Sequence, residues 1–142
     1  MVRILVVDDD LAIREMLHIM LEYSGYQVTE AANGAEALEV LRSSSEPLVV
    51  LLDVMMPDVT GLHVLQTIER NPYLSTRHGY ILMTASREIE LLATEMAVQK
   101  LSVPLISKPF EMNCLLDTVE RVVRRIMMVA TGPVAMLSSA SC

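Results

Sequence analysis

The sequence predicts an α/β domain: a central sheet of five parallel strands with helices on both faces. Short apolar runs rich in Val, Ile and Leu recur at 2–7, 48–52, 79–83 and 103–106, with a weaker alternating run at 26–30. Segments with the period of an amphipathic helix separate them. The third run is apolar throughout, the pattern of a parallel strand covered on both sides. Strand followed by helix, five times over, implies right-handed crossovers and three layers.

Each element has its own signal. The first strand, RILVV, runs into Asp8, Asp9 and Asp10, of which Asp10 is placed to cap the following helix. Ile13, Met16, Leu17, Met20 and Leu21 give that helix its apolar stripe. After the weaker second strand, Asn33 and Glu36 form a capping box for a helix marked by Ala37, Leu38 and Leu41. SSSEP at 43–47 is a loop, and the third strand then ends on Asp53 within LLDVMMPDVTG, where Pro57 fixes a turn. Val64, Leu65 and Ile68 mark the third helix, and NPYLSTRHG at 71–79 reads as a long loop. The fourth strand reaches Thr84, and Ile89, Leu92, Ala93, Met96 and Ala97 follow with helical period. The fifth strand leads to Lys108, Pro109 and Phe110. Met112, Leu115, Leu116, Val119, Val122, Val123 and Ile126 define the last helix. The domain is therefore expected over 1–126, with 127–142 as a flexible tail because Gly132-Pro133 and small residues break the pattern.

Composition narrows the function. With 18 acidic and 11 basic side chains in 142 residues, the net charge of −7 disfavours direct contact with nucleic acid or anionic membrane. No run approaches the ~18 apolar residues of a membrane span, and the acidic cluster at 8–10 ends the first apolar run before a secretory signal develops. Cys114 and Cys142 form no CxxC pair, which argues against a zinc site, a redox motif or a disulfide-stapled secreted fold. A cytoplasmic location is expected.

In an open parallel sheet, ligands sit beyond the carboxyl ends of the strands. The groups standing there are Asp8, Asp9 and Asp10, then Asp53, Thr84 and Lys108. Carboxylates crowded on neighbouring strands repel unless a cation compensates. The candidate ligands are hard oxygens, too few for a closed cage, which favours a partly hydrated Mg2+ that awaits phosphate oxygens. Lys108 offers a point charge and Thr84 a hydroxyl donor to a phosphoryl group. The set describes phosphoryl transfer with an aspartate nucleophile.

The motifs VVDDD at 6–10, LLDVMMPDVTG at 51–61, LMTAS at 82–86 and SKPF at 107–110 resemble those of response regulator receiver domains of two-component signalling, in particular single-domain chemotaxis-type regulators. The resemblance covers roughly residues 2–126. It implies a flavodoxin-like three-layer (βα)5 fold with strand order 2-1-3-4-5. It implies that Asp53 is the phosphoacceptor, that Asp9, Asp53 and the Met55 carbonyl bind Mg2+ directly, and that Asp8 does so through water. Thr84 and Lys108 grip the phosphoryl group, and a cis bond precedes Pro109. The donor implied is a histidine kinase or phosphotransfer protein, and the output is a switched surface that meets a downstream protein. The domain catalyses its own phosphorylation and dephosphorylation without being an enzyme on other substrates. The ~17 residues after the last helix are too few for a DNA-binding module with its own core.

Three positions depart from the family pattern. Leu105 stands where receivers usually carry the aromatic switch residue coupled to the threonine. Thr60 replaces the usual acid before Gly61, and VQKLSVP at 98–104 replaces a Gly-Ala turn. Two rival readings follow. A phosphorylation-independent scaffold is kept open by Leu105. A phosphatase of the haloacid-dehalogenase type also uses a strand-end aspartate and Mg2+, but its DxDx(T/V) signature needs an acid two residues after Asp53, where Met55 stands. The scattered glycines give neither GxxxxGK nor GxGxxG. His18, His63 and His78 lack ligand spacing and read as helix-face or loop residues. Arg121, Arg124 and Arg125 read as cations complementing a helix C-terminus.

Overall fold

A computed structural model of the chain describes residues 2–56, 61–85 and 103–131, except the side chains of Leu62 and of residues 129–131. The strands are β1 (Arg3–Val7), β2 (Val28–Ala31), β3 (Leu48–Asp53), β4 (Gly79–Thr84) and β5 (Leu105–Ser107). All pair in parallel, in the order β2-β1-β3-β4-β5. The expected topology is thus the observed one. Among the described residues the helices are α1 (Leu11–Tyr23), α2 (Gly34–Ser43), α3 (Gly61–Glu69), α4 (Pro72–Arg77) and α5 (Met112–Thr131).

The alternation of side chains along each strand sorts the core into two halves. Leu5, Val7, Val50, Leu52, Tyr80 and Leu82 face one side, where Leu41, Val64, Leu65, Ile68 and Leu74 of α2, α3 and α4 cover them. Ile4, Val6, Val49, Leu51, Ile81, Met83 and Ile106 face the other, under Leu17 and Leu21 of α1 and Leu115, Val119 and Val122 of α5. Every residue of β3 is buried, which is why its sequence shows no polar alternation.

Local chemistry sets the boundaries. The Asp10 side chain caps α1 by accepting from the Ala12 and Ile13 amides. Gly25, at φ +97°, turns the chain after that helix. The capping box at α2 is shifted by one residue: Asn33 accepts from the Glu36 amide, but Glu36 reaches back to the Ala32 amide rather than to Asn33.

Three readings are corrected. The expected loop at 71–79 contains α4, because Asn71 Oδ1 accepts from the amides of Tyr73 (3.0 Å) and Leu74 (3.3 Å), Pro72 is set at the start of the helix, and Leu74 is buried beneath it. The last helix continues past residue 126 to Thr131, since nothing before Gly132 breaks it. His78 is no simple loop residue. It is buried, its Nδ1 accepting from the Leu48 amide at 2.9 Å and its Nε2 donating to the Leu41 carbonyl at 3.1 Å. The expected helix around residues 89–97, the Pro57 turn and Thr60 lie outside the described residues.

Candidate phosphoryl-transfer site

The strand ends converge as the sequence implied. Asp53 is the last residue of β3 and is 4% exposed. Asp8 follows β1 directly and is fully buried; Asp9 beside it is exposed. One carboxylate oxygen from each of Asp8, Asp9 and Asp53 lies within 4.8 Å of the other two. Lys108 reaches over from the end of β5, its Nζ donating to Asp8 Oδ2 at 2.8 Å and standing 3.5 Å from Asp53 Oδ2. The Lys108 amide donates to the Thr84 carbonyl at 2.7 Å, which ties the two strand ends together, and the Lys108–Pro109 bond is cis. Thr84 is buried at the end of β4, whose preceding residue Met83 is in register with Asp53.

The backbone around Asp53 is equally constrained. The Met55 amide donates to Asp53 Oδ1 at 3.0 Å, and the Val54 amide donates to the Met83 carbonyl at 2.9 Å. Gly61 donates back to the Val54 carbonyl at 3.2 Å. A Cβ on Gly61 would collide with the Asp53 carbonyl oxygen and stand 2.6 Å from Val54 Cα, so only glycine fits where α3 begins. Sequence reading placed Gly61 in the motif but not in this role.

Burial pushes the Asp53 carboxyl from 3.8 up to about 6, and the Asp8 charge pushes the same way. The Met55 amide and the Lys108 ammonium oppose the shift without cancelling it. A site that holds carboxylates this close is short of positive charge. Three hard oxygen donors at this spacing, one of them exposed, fit a hydrated divalent cation with open positions, which is the chemistry of Mg2+.

Not every predicted group enters this cluster. Leu105 is buried in β5, in register with Leu82 and on the same face as Thr84, and contributes only apolar packing. Met55 is half exposed. Sequence reading also passed over Arg14 of α1, whose guanidinium donates to the Asp8 carbonyl at 2.8 Å and to Glu30 of β2 at 2.9 Å. Glu30 in turn meets His18 Nδ1 at 2.6 Å, and His18 Nε2 meets Glu22 at 3.0 Å.

Comparison with known proteins agrees with this geometry. The family model described as "Response regulator receiver domain" matches residues 4–120. Sporulation initiation phosphotransferase F of Bacillus subtilis is 31% identical over 119 residues, covering 84% of this chain and 91% of that protein. The uncharacterized transcriptional regulatory protein YkoG of the same organism is 34% identical over 122 residues, but the chain spans only 51% of its length. Among solved structures, response regulator protein TrrA of Thermotoga maritima, in complex with Mg2+-BeF, is 33% identical. It superposes with a TM-score of 0.72 over 86% of this chain and 99% of its own. Chemotaxis protein CheY4 of Vibrio cholerae gives 29% identity and a TM-score of 0.71 over 86% and 98%. Sheet order, the acid cluster at the strand ends and the matched family model lead to one conclusion: this chain belongs to the response regulator receiver domains of two-component systems.

Proposed function

We propose that the domain, whose last helix runs to Thr131, accepts a phosphoryl group on Asp53 from a histidine kinase or phosphotransfer protein and switches a surface that meets a downstream protein. The observation that carries this reading is the position of Lys108, whose ammonium bridges Asp8 and Asp53 at the edge of the acid cluster. Asp53 is the nucleophile. One of its carboxylate oxygens attacks phosphorus as the bond to the donor imidazole nitrogen breaks, and the departing imidazole takes up a proton. Lys108 neutralises charge growing on the phosphoryl oxygens, and the Thr84 hydroxyl donates to one of them. Asp8, Asp9, Asp53 and the Met55 carbonyl are the groups that would hold Mg2+, which supplies charge neutralisation and orients the incoming phosphate. Hydrolysis by water at the same phosphorus returns Asp53 and inorganic phosphate, so the domain catalyses its own phosphorylation and reset while acting on no other substrate.

Among the described residues no helix is long and apolar enough to cross a membrane, and the charge of −7 supports an output by protein contact rather than by direct nucleic-acid binding. Leu105 favours one second reading, a receiver that signals without phosphorylation, because no aromatic side chain there couples to Thr84. Incubation with Mg2+ and a small acyl phosphate, followed by intact mass measurement, separates the two. A single phosphoryl adduct on the wild type that is absent from Asp53→Asn is expected. An unmodified wild type would establish the scaffold, and sustained turnover of phosphate esters would establish a phosphatase.

A further inference from the structure

We infer that Arg14 is a positioning residue for the metal site: by holding the Asp8 carbonyl it fixes the peptide between Asp8 and Asp9, and with it the direction of the Asp9 carboxylate. This rests on the proposed Mg2+-dependent phosphoryl transfer. The Asp8 side chain is otherwise well determined, its Oδ1 accepting from the Asp10 amide at 2.9 Å and its Oδ2 from Lys108 at 2.8 Å. Its amide reaches the Ala31 carbonyl at 3.3 Å. Asp9 is different: it is exposed, and it must face Asp53 to share a cation.

The peptide plane links the two residues. Because the Asp8 carbonyl and the Asp9 amide are coplanar, a hydrogen bond that pins the first also sets the second and the bond leading to Asp9 Cα. Arg14 supplies that bond at 2.8 Å from a side chain only 14% exposed. Its Nε is anchored on Glu30, and Glu30 is braced in turn by His18. The planar guanidinium makes both contacts at once from a fixed fork. A residue behind a ligand that fixes its direction commonly governs metal affinity tenfold or more.

Three explanations of Arg14 differ in the sign of one measurement. If Arg14 acted only through its charge, removing a cation near a cation site would tighten Mg2+ binding. If it only tied α1 to β2, the Mg2+ affinity of folded protein would not change. Positioning requires weaker binding. Calorimetric titration of the whole chain with MgCl2, well below the melting temperature, should therefore show the dissociation constant of R14A raised about tenfold over wild type. R14K, which keeps the charge but loses the fork, should fall between them. An unchanged or lowered constant in folded R14A overturns the inference. If R14A does not fold, R14K decides: a raised constant at conserved charge supports it, and a wild-type constant overturns it. Wild type that takes up phosphoryl while R14A binds Mg2+ normally removes this inference alone. Wild type that binds no Mg2+ removes the functional reading beneath it as well.

Discussion

Asp53 shows how a single residue can be costly to the fold at the position proposed to carry the chemistry. An isolated carboxyl ionises near 3.8, whereas this one holds its proton up to about 6. Between those values the folded state binds more protons than the unfolded chain, so stability falls as pH rises through the window and the full cost is present above about 6. At one pKa unit per ~1.4 kcal/mol, the cost at neutral pH without Mg2+ is on the order of 3 kcal/mol. Asp53→Asn should therefore melt above the wild type at pH 7 in chelator, with the gain shrinking toward pH 4. A gain that is absent at pH 7, or constant across pH, would refute the assignment of burial as the cause. That Asp8, Asp53 and Lys108 belong together was legible in the sequence because each ends an apolar run and must surface at the same sheet edge. Arg14 was not legible, since its partners Asp8, just past β1, and Glu30, in β2, are far apart in the chain and the contact to Asp8 is to main chain.

At the scale of elements, the long strands and helices were readable from periodicity, while the short α4 was not. Six residues are too few for a period to show, and the stretch carries the Asn, Pro and Ser of a loop. Yet Asn71 followed by Pro72 is a helix start in miniature, with the cap side chain and the preset φ adjacent. α4 is held by that cap, by the burial of Leu74 and by the Tyr80 hydroxyl, which donates to the Leu74 carbonyl at 2.7 Å. Asn71→Ala should lower stability by about 1 kcal/mol in chemical denaturation, with little change in Mg2+ binding at the opposite edge of the sheet. A loss below a few tenths of a kcal/mol would mean that Leu74 and Tyr80 alone hold the element. His78, next in the chain, was misjudged for a related reason. Burial lowers its pKa, as does the Arg77 charge, against the opposing Leu41 contact. A neutral ring linking α2 to the start of β3 has no signature in the sequence around it.

For the whole molecule, the proposed Mg2+ site would tie stability to a cation. A ligand that binds only the folded state adds about 2.7 kcal/mol at a hundred times its dissociation constant, so the melting temperature should climb with MgCl2. Asp9→Ala should flatten that dependence while leaving the fold intact, because Asp9 is exposed. An equal Mg2+ response in both proteins would place the cation elsewhere. The sequence by itself determined the architecture, since five apolar runs alternating with helical stripes leave one economical arrangement, a parallel sheet wrapped on both faces. It also determined which edge holds the chemistry, because polar residues that end buried strands must emerge there. Only the tertiary structure decided how the carboxylates are oriented, that Gly61 must lack a side chain, and that Arg14 and His78 bridge separate elements. Those outcomes depend on distances between residues far apart in the chain, and side-chain type and spacing along one strand or helix carry no information about them.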